Sequence, residues 1–246
     1  MSEDPSRSLD VLGIKPVANA IEHASKATID GASSFLSKVC MPAAEEFGLL
    51  LQDKIRGYRA RNTAAILLEA EARVEKFRPG LKVAIHPRLL AATLNGGGWT
   101  DDDSIQKMWA GLLASACTED GDDDGNLIFI DLLGRLTSAQ VRILNYACEA
   151  TPKRADANGL INYRSPLESS AAQLLEISKL PDIHRLDMEL AHLKEIGLIM
   201  AGFDSGMTQI DAVATTASPL ALNLYVRCQG FVGPAPEYFG LVPTSH

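Results

Sequence analysis

The stretch from Pro42 to Phe77 constrains this chain more than any other. After its opening proline it holds no further proline, it is rich in Ala, Leu, Glu and Arg, and it stops at Pro79-Gly80. Proline near the first turn and a Pro-Gly stop mark one long helix. At about 1.5 Å per residue that helix is on the order of 50 Å long. This exceeds the radius of a compact chain of 246 residues, so part of the helix is expected to project or to pair with a partner. On a helical wheel Ala43, Phe47, Leu50, Leu51, Tyr58, Ala65, Leu68 and Ala72 form one face, and Lys54 and Arg61 fall inside it. Two cations in an apolar stripe have two readings. Their alkyl stems pack while the charged heads stay wet, or Lys54, Tyr58 and Arg61 form a site for an anion or a partner's carboxylate. These three are the candidate binding residues.

The segments that follow keep the helical style. A short helix is expected over His86 to Leu94, ended by Asn95-Gly96-Gly97-Gly98. Thr100 is then expected to cap a helix whose first turn, Asp101-Asp102-Asp103, suits the positive end of the dipole. Ile105, Met108, Trp109, Leu112, Leu113 and Ala116 recur at i, i+3, i+4 and i+7, which makes Trp109 a core residue rather than a stacking platform. In LIFIDLLGRL, Phe129, Leu132, Leu133 and Leu136 keep helical spacing, although the apolar run in isolation also suits a strand. Upstream, Val17, Ile21, Ala24, Ala27, Ala32, Leu36 and Val39 outline a small-residue amphipathic helix with Gly31 as its weak point.

The second half changes character. Thr137 and Gln140 form a capping box for a helix through Cys148, and Ser165, Pro166 and Glu168 predict another through Ile177. Asp182 opens a third helix bearing Leu186, Leu190, Leu193 and Ile196, closed by Gly197. LIMAGF and MTQIDAVAT, joined by Asp204-Ser205-Gly206, read as a hairpin, and a last helix runs from Ser218-Pro219 to near Gly230. Three helices, a two-stranded wing and a closing helix spell a winged helix-turn-helix. The expected fold class is therefore mainly α: a helical domain with one long helix, then a winged-helix-like domain with a short hairpin. The expected boundaries are 1–40 for an N-terminal segment, 41–136 for the helical domain, 137–232 for the winged-helix-like domain and 233–246 for an extended, aromatic tail that packs back on its domain or on a neighbouring subunit.

Charge and cysteine usage limit the partners. With net charge −8 the chain repels polyphosphate, and neither half is basic: Lys plus Arg against Asp plus Glu is 15 to 20 through Leu136 and 8 to 11 after it. The third helix of the second half sets Arg185 and Lys194 against Asp187, Glu189 and Glu195, too few cations for a phosphate-neutralising face. Nucleic acid is thus disfavoured. A membrane is disfavoured too, because the Val17 to Val39 helix lacks Trp and a Lys/Arg-rich polar face. Cys40, Cys117, Cys148 and Cys228 are widely spaced among apolar neighbours, and no export signal or spanning run is present, so a reducing cytoplasm is expected.

One loop carries possible chemistry. TEDGDDDGN places Asp120, Asp122 and Asp124 at alternate positions, Gly125 at the sixth and Asp131 at the twelfth, close to an EF-hand loop. Against it stand the shorter Asp at the twelfth position and the lack of a second such loop, so a solvated hinge is favoured. His184 with Asp187 and His192 with Glu195 have metal spacing on one helix but no third ligand. Gly96-Gly97-Gly98 follows no strand and brings no phosphate-binding lysine. No catalytic, cofactor-binding or metal-ligating residue is assigned, and a non-enzymatic role through protein contacts, with self-association, is expected.

The stretches CMPAAEEFGLLLQDKIRGYRARN, DDDSIQKMWAGLLASA, FIDLLGRLTSAQVRIL and ELAHLKEIGLI together resemble the abortive infection alpha family. The likeness spans about residues 35 to 230. Its most specific elements are Pro42-Ala43-Ala44-Glu45-Glu46-Phe47-Gly48 and Trp109-Ala110-Gly111-Leu112-Leu113, neither of which is a catalytic motif. The resemblance implies a role in bacterial defence against phage, by arrest or death of the infected cell. It also implies that the acidic loop lies in a segment of variable length, which weakens the calcium reading.

Overall fold

The computed structural model describes residues 28, 30–32, 34–39, 54–200 and 212–241. Helix α1 covers 28–39, less residues 29 and 33. After it come α2 (Lys54–Phe77), β1 (Ala84–Ile85), α3 (Pro87–Gly97), α4 (Asp103–Ala116), β2 (Cys117–Thr118), α5 (Leu127–Gly134) and α6 (Ser138–Ala150). The second half continues with β3 (Lys153–Ala155), β4 (Ile161–Tyr163), β5 (Glu168–Ser169), α7 (Ala171–Ser178), α8 (Ile183–Glu195), β6 (Val213–Ala214), α9 (Pro219–Cys228) and α10 (Ala235–Tyr238). The architecture is mainly helical, and the strands pair only two by two, all antiparallel: β1 with β2, β3 with β4, β5 with β6.

Helix α4 is the axis of the core. From Met108 to Ala116 every residue is buried, because α2, α3, α5, α6 and α9 all pack around it. Gly111 makes that enclosure possible: a Cβ there would overlap the carbonyl of Cys228, so only glycine lets the end of α9 cross at this point. Trp109 is core, as its spacing predicts. The glycines before it are there for its ring, since a Cβ on Gly96 would lie 2.6 Å from the indole and one on Gly97 would lie 2.6 Å from Ile66 and 3.1 Å from the indole. Arg78, just past α2, donates to the carbonyls of Ala114 (2.6 Å) and Cys117 and so satisfies the orphan acceptors at the end of α4.

Local signals and structure disagree in several places. Helix α3 runs on through Gly96 and Gly97 rather than stopping at Leu94. The cap of α4 is Asp102, whose carboxylate accepts from the N–H groups of Ser104 (3.0 Å) and Ile105 (3.2 Å), whereas Thr100 accepts from Asp102 N (3.3 Å) one step earlier. On α2 the buried side is Ala60, Thr63, Ala64, Leu67, Ala70 and Val74, while Ala65 and Ala72 are exposed and Leu68 is half-buried. Alanine gives a wheel little contrast, so packing on α4 chose a different arc. The expected start of this helix at Pro42, with Ala43, Phe47, Leu50 and Leu51, lies outside the described residues, as do Val17, Ile21, Ala24 and Ala27 of the first helix. Of that helix, Ala32, Leu36 and Val39 are buried against the body.

In the second half Thr137 and Gln140 do form a capping box on α6, at 3.2 and 3.0 Å, and Asp182 and Ser218 cap α8 and α9. The helix expected from Ser165 starts only at Ala171. Its cap is Ser170, and Glu168 belongs instead to β5, where it pairs with Ala214. The β3–β4 hairpin is unforeseen; Asp156 ties its turn by accepting from Asn158 N and Leu160 N, both at 2.9 Å, with Gly159 at φ +76°. Of the expected later hairpin, Ile199 bridges Ala217, two residues past the expected second strand, whereas Val213–Ala214 within that strand pair with Glu168–Ser169 of β5; the Asp204-Ser205-Gly206 turn lies outside the described residues. The described part of the tail, through Leu241, is not extended: it makes the helical turn α10 and packs Tyr238 and Phe239 on Tyr225.

Candidate interaction surface

From Lys54 to Leu68 helix α2 carries Lys54, Arg56, Arg59 and Arg61 and no carboxylate, the first being Glu69. In a chain of net charge −8 this is a local reversal of sign. Helical spacing sets Lys54, Tyr58 and Arg61 at i, i+4 and i+7 on one side. Tyr58 is half-buried and Arg61 exposed, while the side chain of Lys54 lies outside the described residues.

Next to them the structure assembles a contact that the sequence reading misses. Asn62 Nδ2 donates to Gly98 O (3.2 Å), pulling the glycine turn onto α2; a Cβ on Gly98 would lie 3.1 Å from Thr63 Oγ1 and 2.8 Å from Leu94 O. That close approach delivers Trp99, 59 % exposed, to Arg59, whose guanidinium lies 4.6 Å from the ring centroid. Arg59 Nη2 also donates to Asn95 Oδ1 (3.1 Å), and its Nε is buried with no hydrogen-bond partner among the described residues. A cation over an exposed indole contributes about 0.5–1 kcal/mol. Exposed Asp101 and Asp103 follow Trp99 on the α4 side, so the positive field belongs to the α2 side. The available signal was a tryptophan directly after the glycines, opposite an acid-free helix.

The acidic loop does not gather its carboxylates. Asp120 accepts from Thr118 Oγ1 (3.0 Å) and from Asp122 N (3.4 Å), and the Thr118 hydroxyl first, then the backbone donors, hold its carboxyl below the usual range. Asp123 accepts from Gly125 N (2.8 Å), Asp124 faces Arg88 (3.5 Å), and Asp131 pairs with Arg135 (2.7 Å) one turn along α5. Among the described residues no group of three or more His, Cys, Asp or Glu side chains is placed to hold a metal.

Helix α8 separates its two histidine pairs by environment. His184, Asp187 and Glu195 are exposed. His192 is half-buried, and its Nδ1 lies 2.8 Å from Gln140 Nε2. Since Gln140 Oε1 already accepts from Thr137 N, the amide nitrogen is the donor and His192 Nδ1 the acceptor, leaving the ring proton on Nε2. Glu189 is buried, with Oε1 bonded to Arg185 Nε (3.0 Å) and Oε2 to Thr137 Oγ1 (3.0 Å). The cysteines are equally enclosed: burial pushes the Cys117 thiol up to about 12 and raises Cys148 and Cys228 as well, so these thiols stay neutral and poorly nucleophilic.

Fold and surface together define a mainly α-helical protein with an enclosed tryptophan helix at its centre and an exposed aromatic and cationic patch beside that helix's first turn. Residues 62–220 match the abortive infection alpha family, and the chain belongs to it. Membership ties the chain to abortive infection, a bacterial defence against phage. No curated protein and no solved structure matches it. No described helix is long and apolar enough to cross a membrane.

Proposed function

We propose that the chain is a non-enzymatic component of abortive infection, acting in the cytoplasm through protein contacts made by the first half of α2 and the glycine turn. Lys54, Tyr58, Arg59, Arg61 and Trp99 form the docking face, and the partner presents carboxylates. The observation that carries this reading is the exposed Trp99 ring with Arg59 over it, beside a helical stretch with four cations and no acid. Trp, Tyr and Arg are the residues in which interface binding energy concentrates.

The order α6, the β3–β4 hairpin, β5, α7, α8, β6 and α9, with β5 paired to β6 and Ile199 bridged to Ala217, supports reading the second half as a winged helix with an added hairpin. That half serves as an interaction or self-association wing rather than a DNA reader. Arg185, one of two cations on α8, is tied to Glu189, and the helix exposes Met188 to solvent. A salt-dependent gel shift would favour the DNA reading instead.

The direct test is a plaque assay with Lys54→Ala/Arg61→Ala. Protection should fall while the thermal midpoint stays within a few degrees of the parent. Undiminished protection would remove these two residues from the docking face.

A further inference from the structure

The second half of α2, with Glu69, Arg73, Lys76 and Phe77, lines an open cleft of about 260 Å³, whose far wall is Gln229 just past α9 and Tyr238 in α10. Its floor is Arg73. That side chain is only 14 % exposed, and its guanidinium is clamped: Nη1 donates to Cys228 O (2.6 Å) and Nε to Glu69 Oε1 (2.9 Å), while Nη2 makes no hydrogen bond among the described residues. Two glycines clear its path. A Cβ on Gly111 would overlap Arg73 Nη1, and one on Gly230, where φ is +91°, would press to 3.3 Å on Arg73 Cβ. A buried cation whose carboxylate partner is half in solvent is costly to keep, so a second anion at the open edge would be favourable.

The remaining lining adds donors and flat walls. Lys76 is exposed, with its ammonium 5.2 Å from the Phe77 ring and no ion pair among the described residues. Burial, and then Glu149, raise the Tyr238 hydroxyl above its usual range, and that hydroxyl is engaged by Tyr225. Its ring is fixed by Phe231 and Phe239 at 5.7 and 5.1 Å. Beyond the Arg73 Nε that Glu69 already takes, Arg73 Nη2, Lys76 and Gln229 carry more donors than a carboxylate's two oxygens can use, whereas a phosphate monoester offers three terminal oxygens to guanidinium and ammonium donors. Phe77 and Tyr238 provide aromatic faces for a ring.

We propose that this cleft binds a small phosphate monoester bearing a flat ring, of about the size of a nucleoside monophosphate, and that the ligand ties α2 to the α9–α10 turn. The site is separate from the docking face around Trp99, so either can fail without the other.

The test is calorimetry and thermal shift on the full chain with adenosine monophosphate, inorganic phosphate, acetate and adenosine, each to about 10 mM. The nucleotide should bind and raise the midpoint, phosphate should bind about tenfold more weakly, and acetate and adenosine should give neither heat nor shift. Because Arg73 also holds the Cys228 carbonyl, the variants fall on the exposed rim: Lys76→Glu should weaken nucleotide binding about tenfold or more and Lys76→Gln several-fold, with unliganded midpoints within a few degrees of the parent. No response to nucleotide or phosphate, an equal response to acetate, or full binding by Lys76→Glu overturns the proposal.

Discussion

Two polar clusters in this molecule use similar residues to opposite ends. Around Glu189, side chains from α6 and α8 close on one another: both carboxylate oxygens are bonded, and Gln140 reaches Thr137 N, Glu189 O (3.3 Å) and His192 Nδ1 at once. Around Arg59 the cluster stays open, with a buried Nε that has no hydrogen-bond partner among the described residues and an indole facing solvent. Residue type alone does not separate a lock from a landing place. A buried polar network with every group satisfied specifies how helices meet, and an exposed one with unused donors and aromatic area is free to meet something else.

The comparison breaks most visibly at Glu189. Glu189→Ala removes a buried carboxylate together with its bonds to Arg185 and the Thr137 hydroxyl, both on exposed residues that water can re-satisfy, and should cost about 2 kcal/mol in chemical denaturation. A loss below about 0.5 kcal/mol would mean that the cluster is no lock. Gln140→Ala removes half of the capping box and the partner of His192, and should cost about 1–2 kcal/mol by the same measurement.

Alkaline titration sharpens the contrast further. Cys117, Cys148 and Cys228 have folded-state values raised by burial, so the folded chain keeps protons that the unfolded chain releases once pH passes the ordinary thiol value of about 8.5. Stability should be level below that pH and decline above it, read as a falling midpoint between about pH 8.5 and 10. A midpoint flat across that window would contradict the enclosure of these thiols. The smallest effect belongs to the open cluster: Arg59→Ala or Trp99→Ala should shift stability by no more than about 1 kcal/mol, since the cation–π contact is an exposed one.

What the sequence makes legible follows how local each interaction is. The Thr137–Gln140 box, the Asp182 and Ser218 caps and the Trp109 helix are written within a few residues, and the structure has them where the pattern puts them. Ser165-Pro166 with Glu168 carries the same local signature and misleads, because pairing of Glu168 with Ala214 takes that segment into a strand. The inner face of α2 is hidden because alanines lie on both sides of it, and the three-residue strands β3 and β4 are too short to show a period. Of the candidate site, Tyr58 and Arg61 are placed on accessible helix, but the Arg59–Trp99 pair spans two elements. It depends on glycines that let a turn approach α2, a tertiary cause with no local mark.

The open cluster around Arg59 and Trp99 is where this abortive-infection protein is proposed to grip its partner. The most direct measurement is phage protection by the Arg59→Ala/Trp99→Ala double variant, at matched expression and with its thermal midpoint recorded alongside. The expected result is loss of protection by a protein whose folded state is nearly as stable as the parent's. Full protection by the folded double variant would contradict it.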